Sequence, residues 1–411
     1  MNKPELLAPA GSLERLKTAI LFGADAVYCG GEAFSMRAAA KNFSKEDLQE
    51  ARELTLAKNK KLYITANIIP HNEDMEEMPA FLEEMAALSP DGLIVSDLGV
   101  FMMAKKLAPH VPLHISTQAN NTNAESFLAW HSLGAKRVVA ARELSLAELK
   151  EISKKIPEDL EIEAFIHGAM CISYSGRCLL SGYMAGRDSN RGNCAHPCRW
   201  NYSLMEEERP GAYFPVYENE RGTFIFNSKD LCMIEHIPAL IDAGIKSFKI
   251  EGRVKTEYYV ATVIKAYREA IDRYCESPET YRFAPVWREE IEKVSNRHYT
   301  TGFYLGKPHE EAQNYETSAY VRTYEVSAVV VGYDEATGDT LLEQRNRFFE
   351  GDTLELVAPF MPTEAITVQN LRDAEGNQQA SAPHPKQLLR LNLGKCLPEM
   401  SLLRREREVN H

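Results

Sequence analysis

The cysteines are the residues of this chain most capable of binding a metal. Eight occur among 411 residues, and five of them fall within a span of 62: Cys171, Cys178, Cys194, Cys198 and Cys232. Soft thiolates without a regularly spaced histidine favour an iron-sulfur cluster over catalytic zinc. We predict Cys171, Cys178, Cys194 and Cys232 as the ligands, with Cys198 as the alternative. Zinc, with His196 or His167 as a fourth ligand, stays open.

A basic, aromatic segment lies among these cysteines. Between Cys171 and Trp200 it carries four arginines and one aspartate, in a chain whose formal net charge is −12: Arg177, Arg187, Arg191, Arg199 and Asp188. Tyr174, Tyr183 and Trp200 alternate with them. Arginine with aromatic residues is typical of single-stranded nucleic acid binding. We predict that Arg177 and Arg191 contact RNA; the alternative is that these arginines neutralise an anionic cluster or pair with acidic residues of the main domain.

Polar side chains follow the predicted strands that surround this segment. Arg142, Lys249 and Arg253, together with Asn67 and Gln118, suggest a pocket for a small anion, because arginine matches the geometry of carboxylates. Strand alternation could instead direct Lys249 into the interior of the domain. We predict binding roles for the three cations and catalytic roles for four residues: Asn67, Gln118, His167 and Glu251.

The elements that position these residues are alternating strands and helices. Eight short β-branched runs are predicted at Glu5–Leu7, Ala26–Cys29, Leu62–Ala66, Gly92–Ser96, Leu113–Ser116, Arg137–Ala141, Glu161–Ile166 and Ser247–Ile250. Amphipathic stretches separate them, several opening with capping residues such as Ser12, Ser44 and Ser145. Eight such units in about 270 residues predict an α/β fold of the TIM-like (β/α)8 barrel type. An open doubly wound sheet is the alternative, but no G-x-G-x-x-G follows the first strand.

The predicted domain organisation follows from this pattern. The barrel spans residues 1–280, with a cysteine-rich insertion at 169–232 after strand seven, and a connecting segment covers 281–315. From 316 to 411 the period shortens, and closely spaced strands predict a small C-terminal β-barrel. They are expected at Val321–Val326, Ala328–Val331, Thr340–Gln344, Thr353–Val357, Ile366–Val368 and Leu388–Leu393.

Composition and motifs exclude several classes of protein. No apolar run approaches the roughly 18 residues of a membrane span, and the first residues lack a signal-peptide pattern, so we expect a cytoplasmic protein without a membrane partner. The acidic balance argues against non-specific coating of nucleic acid. Neither H-E-x-x-H nor G-x-S-x-G occurs, so serine or zinc peptidase machinery is not visible.

Four segments resemble one known family. The stretch Glu163–Ser181, which contains His167, Cys171 and Cys178, closely resembles the signature of the collagenase-like U32 peptidase family. The segments Glu5–Gly11, Phe34–Phe43 and Lys249–Arg253 are similar to that family too. The similarity extends over nearly the whole chain, including the C-terminal strands.

The resemblance implies a (β/α)8 catalytic domain and an RNA-modifying activity. Better-understood relatives are hydroxylases that depend on iron-sulfur cluster assembly, and those acting on RNA use prephenate as the hydroxyl source. This chain is most similar to the branch that converts the wobble uridine of tRNA to 5-hydroxyuridine. The resemblance implies a [4Fe-4S] cluster on Cys171, Cys178, Cys194 and Cys232. Because a Cys-x3-Cys pair also occurs in relatives, Cys198 stays an alternative.

The implied substrates agree with the residues. Prephenate is a small dicarboxylate and would explain an arginine-lined mouth, while tRNA would explain a basic aromatic segment on an acidic protein. The family also suggests a paralogous partner subunit. Two alternatives stay open: a collagenase-like peptidase, which would need a dyad of Cys171 and His167, and a non-catalytic iron-sulfur protein that binds RNA.

Overall fold

A computed structural model of the chain describes residues 3–36, 42–200, 217–219, 222–224, 228–307, 312, 314 and 320–407. The predicted insertion and connecting segment are therefore described only in part, because residues 201–216 and most of 308–319 lie outside these ranges. So do residues 37–41 of the segment Phe34–Phe43.

A closed parallel barrel forms the first part of the chain. Its first seven strands are β1 (Glu5–Pro9), β2 (Ala26–Cys29), β3 (Lys61–Ala66), β4 (Gly92–Val95), β5 (Leu113–Ile115), β6 (Arg137–Val139) and β7 (Glu161–Gly168). Among the described residues of the next segment lie three short strands, β8 (Tyr217–Asn219), β9 (Gly222–Phe224) and β10 (Asp230–Cys232), and the eighth barrel strand, β11 (Ser247–Ile250), follows them. Because β11 pairs in parallel with both β1 and β7, the sheet closes on itself. The predicted (β/α)8 barrel is confirmed.

The helices pack around this barrel. They are α1 (Leu13–Leu21), α2 (Lys45–Ala57), α3 (Asp74–Leu88), α4 (Leu98–Leu107), α5 (Ala124–Leu133), α6 (Leu146–Lys155), α7 (Leu180–Ala185), α8 (Ile237–Asp242), α9 (Glu257–Glu276) and α10 (Pro285–Glu292). Ser44 and Ser145 form complete capping boxes, and the Ser12 side chain accepts the N–H of Arg15, as their spacing predicts. Among the described residues, no helix is long and apolar enough to cross a membrane.

The barrel interior holds a buried ion network near the start of the strands. Arg137, which is 2% exposed, donates to Glu5 at 2.6 Å and to Glu163 at 3.1 Å. The Lys249 ammonium donates to the other oxygen of Glu163 at 2.6 Å. Charges this deeply buried need such partners, since removing one would leave another uncompensated.

The C-terminal part is an antiparallel half-barrel. After β12 (Tyr299–Thr300), which pairs with β10, come β13 (Tyr324–Asp334), β14 (Asp339–Gln344), β15 (Phe348–Phe349), β16 (Thr353–Val357), β17 (Glu364–Thr367), β18 (Arg372–Asp373), β19 (Ser381–Ala382), β20 (Leu388–Leu391) and β21 (Leu402–Glu406). Seven of these strands form one sheet in the order β17-β16-β21-β13-β14-β20-β18. Two predicted strands are fused in β13, and β21, which lies between β16 and β13, was not predicted.

Candidate active site at the barrel mouth

A small cavity opens where the barrel strands end, which is where the reactive groups of such barrels gather. Five of the predicted residues line it: Asn67, Gln118, Lys249, Glu251 and Arg253. No role was predicted for the other lining residues, which are Tyr28, Met36, Thr65, Ser116, Thr117 and Phe165. Most of the missed residues are small hydroxyl or apolar side chains, for which composition gave no signal, although Ser116 directly follows β5.

Arg253 is the principal cation of this cavity. It is 3% exposed, and its Nη1 donates to the hydroxyls of Ser35 and Thr65, while its Nη2 donates to Asn42 Oδ1 at 2.8 Å. Gly30 makes room for the guanidinium, because a Cβ atom there would lie 2.5 Å from Arg253 Nη2. These bonds fix the orientation of the guanidinium, whose planar fork matches the geometry of a carboxylate.

An amide network lies beside this arginine. Asn67 Nδ2 donates to Ser116 Oγ and Gln118 Oε1, each at 3.2 Å, and Asn67 Oδ1 accepts the N–H of Met36 at 3.4 Å. The Ser116 hydroxyl also donates to Gln118 Oε1. These contacts fix the orientation of both amides, which supply uncharged donors and acceptors at the cavity wall.

Two predicted cations have other principal partners. Lys249 lines the cavity, but its ammonium pairs with Glu163 and lies 4.5 Å from the centre of the Tyr28 ring, so it points into the barrel interior. Arg142 Nη1 donates to the Ala169 carbonyl at 2.9 Å, and its Nη2 donates to Ser175 Oγ at 2.7 Å. Although burial opposes the charged form, interaction with the Cys171 sulfur raises the pKa of Arg142. Arg142 therefore anchors the insertion to the barrel.

His167 lies on the outer side of β7 instead of lining the cavity. The register between β7 and β11 shifts by one residue, opposing Lys249 to Phe165 and Ile250 to His167. Such a bulge reverses the alternation of side chains. His167 consequently packs among the rings of Tyr259, Tyr267 and Tyr299, with centroids 5.4 to 5.9 Å away. Burial, followed by the charges of Lys255 and Arg288, lowers the pKa of His167 to about 3.

The five cysteines in and beside the insertion divide into a group of four and one that lies apart. Burial raises the pKa of Cys198 to about 11 against the effect of Arg199, and Cys171, Cys194 and Cys178 raise it further, so each of these three thiols lies near Cys198. Cys232 is on β10 opposite His167, is 4% exposed, and has its sulfur 3.8 Å from the Tyr267 hydroxyl. The structure thus brings the alternative ligand Cys198 beside three of the predicted ones.

The contacts of the thiols bear on whether they could hold a metal ion or a cluster. Within the described ranges, no three His, Cys, Asp or Glu side chains converge closely enough to hold one ion. A cubane cluster spreads its thiolates over four irons, so its ligand sulfurs need not meet as they do around zinc. The backbone N–H of His196 donates to Cys194 Sγ at 3.3 Å, and Ile234 supplies a similar backbone bond to Cys232. Such bonds stabilise cluster thiolates.

The insertion covers the mouth of the barrel through polar contacts. Arg191 forms ion pairs with Glu73 and Asp74 at the start of α3, each at 2.6 Å. Arg177 Nε donates to Asn120 Oδ1 at 2.8 Å. The alternative in which arginines pair with acidic residues therefore holds for Arg191. Three aromatic rings of this segment remain open to solvent, with exposures of 45%, 85% and 40%: Tyr174, Tyr183 and Trp200.

Comparisons with known proteins give the family. The Peptidase family U32 model matches residues 11–314, and the Peptidase family U32 C-terminal domain model matches residues 322–404. The chain is 42% identical to tRNA hydroxylation protein P1 of Bacillus subtilis, over 98% of this chain and 95% of that protein. It is 37% identical to tRNA hydroxylation protein P of Escherichia coli, over 93% and 92%. It is also 37% identical to a collagenase of Porphyromonas gingivalis, over 75% of each chain. The chain therefore belongs to peptidase family U32.

Proposed function

We propose that this protein hydroxylates tRNA, converting the wobble uridine to 5-hydroxyuridine with prephenate as the hydroxyl donor. The observation that carries the proposal is the arginine-centred cavity at the barrel mouth, covered by a segment rich in cysteine, arginine and exposed aromatic rings. Relatives at 42% and 37% identity over nearly the whole chain are named tRNA hydroxylation proteins, which supports tRNA as the substrate.

The cavity supports a small carboxylate as co-substrate. Arg253 offers a buried guanidinium whose orientation is fixed by Ser35, Thr65 and Asn42. A carboxylate entering the cavity would gain charge-assisted hydrogen bonds in a site of low dielectric. The amides of Asn67 and Gln118 would orient the rest of the molecule, and Glu251, which lines the same cavity, would exchange a proton with it. Lys249, which is paired with Glu163, would have no direct role in binding the carboxylate.

The thiols support a [4Fe-4S] cluster beside this mouth. Cys171, Cys178 and Cys194 would hold it, with Cys232 or Cys198 as the fourth ligand. When bound, the cluster would supply redox chemistry or would order the insertion. Arg142 lies next to the thiols and would balance the negative charge of a thiolate-ligated cluster, since interaction with Cys171 raises the pKa of Arg142 against the effect of burial.

The insertion supports single-stranded RNA as the second substrate. Tyr174, Tyr183 and Trp200 expose rings on which unpaired bases can stack, a contact that contributes about 1–3 kcal/mol per base. A wobble nucleotide lies in a loop and can be turned outward at modest cost. Arg177, which is bonded to a neutral amide, keeps its charge for a phosphate, whereas Arg191 is already paired.

Nucleoside analysis tests this function. Deleting the gene, together with any paralogue, should remove 5-hydroxyuridine derivatives from digested tRNA, as measured by mass spectrometry. Supplying the gene again should restore them, except in a strain that cannot make prephenate. Unchanged modification in the deletion strain, or restoration without prephenate, would refute the corresponding part of the proposal.

Peptidase activity is the second candidate because one relative is named a collagenase. The dyad it would need consists of Cys171 and His167, yet the His167 ring is 1% exposed and is surrounded by tyrosines. Highly purified protein should therefore leave gelatin intact. Cleavage that disappears with Cys171→Ser would support the peptidase instead.

A further inference from the structure

A second group of cations lies beside the barrel mouth and has no role in the cavity. Lys255 follows β11, and Arg199 belongs to the insertion after β7, so the group is built from the loops after strands seven and eight. Arg297 and Arg322 complete it from the segment that leads to the C-terminal strands. In (β/α)8 barrels, the loops after strands seven and eight are a frequent place for phosphate binding.

Three of these cations lie close to the ring of Tyr320. The Lys255 ammonium lies 4.0 Å from the centre of the Tyr320 ring, the Arg297 guanidinium lies 3.8 Å from it, and that of Arg322 lies 5.9 Å away. Lys255 also donates to the Ser295 carbonyl at 2.9 Å and lies 5.0 Å from the centre of the Tyr259 ring. The arrangement places like charges close together around a neutral aromatic surface.

The negative charge that the structure describes here is small. Asp230 Oδ1 lies 3.7 Å from Arg297 Nη1. Among the described residues, Asp230 is the carboxylate that we find next to these cations. Burial is the largest cause that lowers the pKa of Lys255 to about 8, and the charges of Arg297, Arg199 and Arg322 lower it further against the attraction of Asp230. Burial and the charge of Arg199 also lower the pKa of Arg297. In both cases neighbouring cations act on the pKa in the same direction as burial.

Two donors of the group are buried and unused. Arg297 is 8% exposed, and its Nε has no hydrogen-bond partner in the described structure. Nη1 of Arg199 is also buried without a hydrogen-bond partner in the described structure, whereas its Nη2 donates to the Met170 carbonyl at 3.0 Å. Buried donors without partners are costly, and a bound anion would satisfy them.

We propose that Lys255, Arg199, Arg297 and Arg322 bind a backbone phosphodiester of the RNA substrate next to the nucleotide that enters the barrel. This inference rests on the proposed function for the identity of the anion. The neighbouring Trp200, 40% exposed, favours RNA over a free phosphate ester, because phosphate contacts and base stacking act together in single-stranded recognition. Neutralising this phosphate would hold the strand while its base is turned outward.

Salt-dependent RNA binding tests the site. A fluorescent anticodon stem-loop RNA is titrated with the full-length, cluster-containing protein at several salt concentrations. Lys255→Gln and the exposed Arg322→Gln should each weaken binding about five- to tenfold and reduce the slope of log affinity against log salt by about 0.7. Lys58→Gln, at the exposed end of α2, is the matched control and should bind as the unchanged protein does.

The outcomes separate this inference from the proposed function. Unchanged affinity and slope in both variants, or an unchanged protein that does not bind RNA, would overturn the phosphate site. A variant that binds RNA normally but has a higher KM for a small co-substrate would overturn it as well, because the site would then bind a free anion. If binding depends on Lys255 but nucleoside analysis finds no hydroxylation, the site stands and the proposed reaction fails.

Discussion

The proposed recognition of an anion at the barrel mouth depends on single side chains. Arg253→Lys keeps the charge but loses the planar fork that contacts Ser35, Thr65 and Asn42. Because charge-assisted hydrogen bonds contribute about 1.5–3 kcal/mol, we expect KM for prephenate to rise roughly tenfold to a hundredfold. Steady-state kinetics on tRNA would measure this. Arg282→Lys, whose guanidinium donates to the neighbouring Tyr281 carbonyl, is the control and should leave KM unchanged.

The His167 ring should remain uncharged throughout the physiological range. Burial lowers the pKa of His167 to about 3, whereas the ordinary pKa of histidine is about 6.5. Above pH 6.5 the side chain is neutral in both the folded and the unfolded chain, so it does not reduce the free energy of unfolding. As the pH falls from 6.5 towards 3, the free energy of unfolding decreases, because the unfolded chain binds a proton that the folded chain does not. NMR of ring-labelled histidine, with the signal identified through His167→Gln, should show no titration between pH 8 and 5. A titration midpoint near 6.5 would contradict the buried placement.

The sequence predicted part of the site at this level. Asn67, Gln118, Glu251 and Arg253 could be anticipated because polar residues directly after barrel strands meet at one end of the barrel. The orientation of His167 could not be anticipated, because it depends on a one-residue shift in the pairing of β7 with β11. No residue type in the sequence indicates such a bulge. Nor could the partners of Arg191 be anticipated, because Glu73 and Asp74 are distant in sequence.

The insertion is the element that joins the cavity to the thiols, and its anchors are polar. Arg191→Ala removes both ion pairs to the start of α3. Because exposed pairs contribute only about 0.2–1 kcal/mol each, the thermal midpoint should hardly change, while the insertion should open more often. Limited proteolysis should show faster cleavage between residues 169 and 200.

Lys45→Ala, which removes an exposed ion pair with Glu84 between α2 and α3, is the matched control and should not alter that cleavage. Equal cleavage of Arg191→Ala and the unchanged protein would mean that other contacts hold the insertion. Among these are the bond from Asn120 Nδ2 to the Ser175 carbonyl at 2.9 Å and the bonds made by Arg142.

The barrel and the half-barrel are joined by a buried arginine. Arg404 of β21 is fully buried and donates to Glu290 of α10 and Glu355 of β16, each at 2.7 Å, and to the Tyr258 hydroxyl at 3.3 Å. Arg404→Met would leave Glu290 and Glu355 with Lys293 as their remaining cationic partner among the described residues. Because Lys293 still compensates part of their charge, we expect a loss near the lower end of the roughly 3–5 kcal/mol for breaking a buried pair, visible in calorimetry as separate unfolding of the two parts.

A nearby arginine provides the comparison. Arg405→Met changes the next residue, whose partners Glu325 and Asp352 are partly exposed, and should cost no more than about 1 kcal/mol. Equal effects of the two changes would show that Arg404 does not join the domains. β21 was not predicted because its sequence, Leu-Leu-Arg-Arg-Glu, is similar to that of a charged tail. Only the tertiary packing shows that its first arginine is buried.

The central claim for the whole molecule is that distant cysteines and the barrel mouth form one iron-sulfur site. Protein purified without oxygen should be brown, contain about four irons and equal sulfide per chain, and lose both in Cys178→Ser. Comparing Cys198→Ser with Cys232→Ser would identify the fourth ligand as the variant that loses iron. Colourless protein that contains stoichiometric zinc, or iron unaffected by Cys178→Ser, would contradict the account.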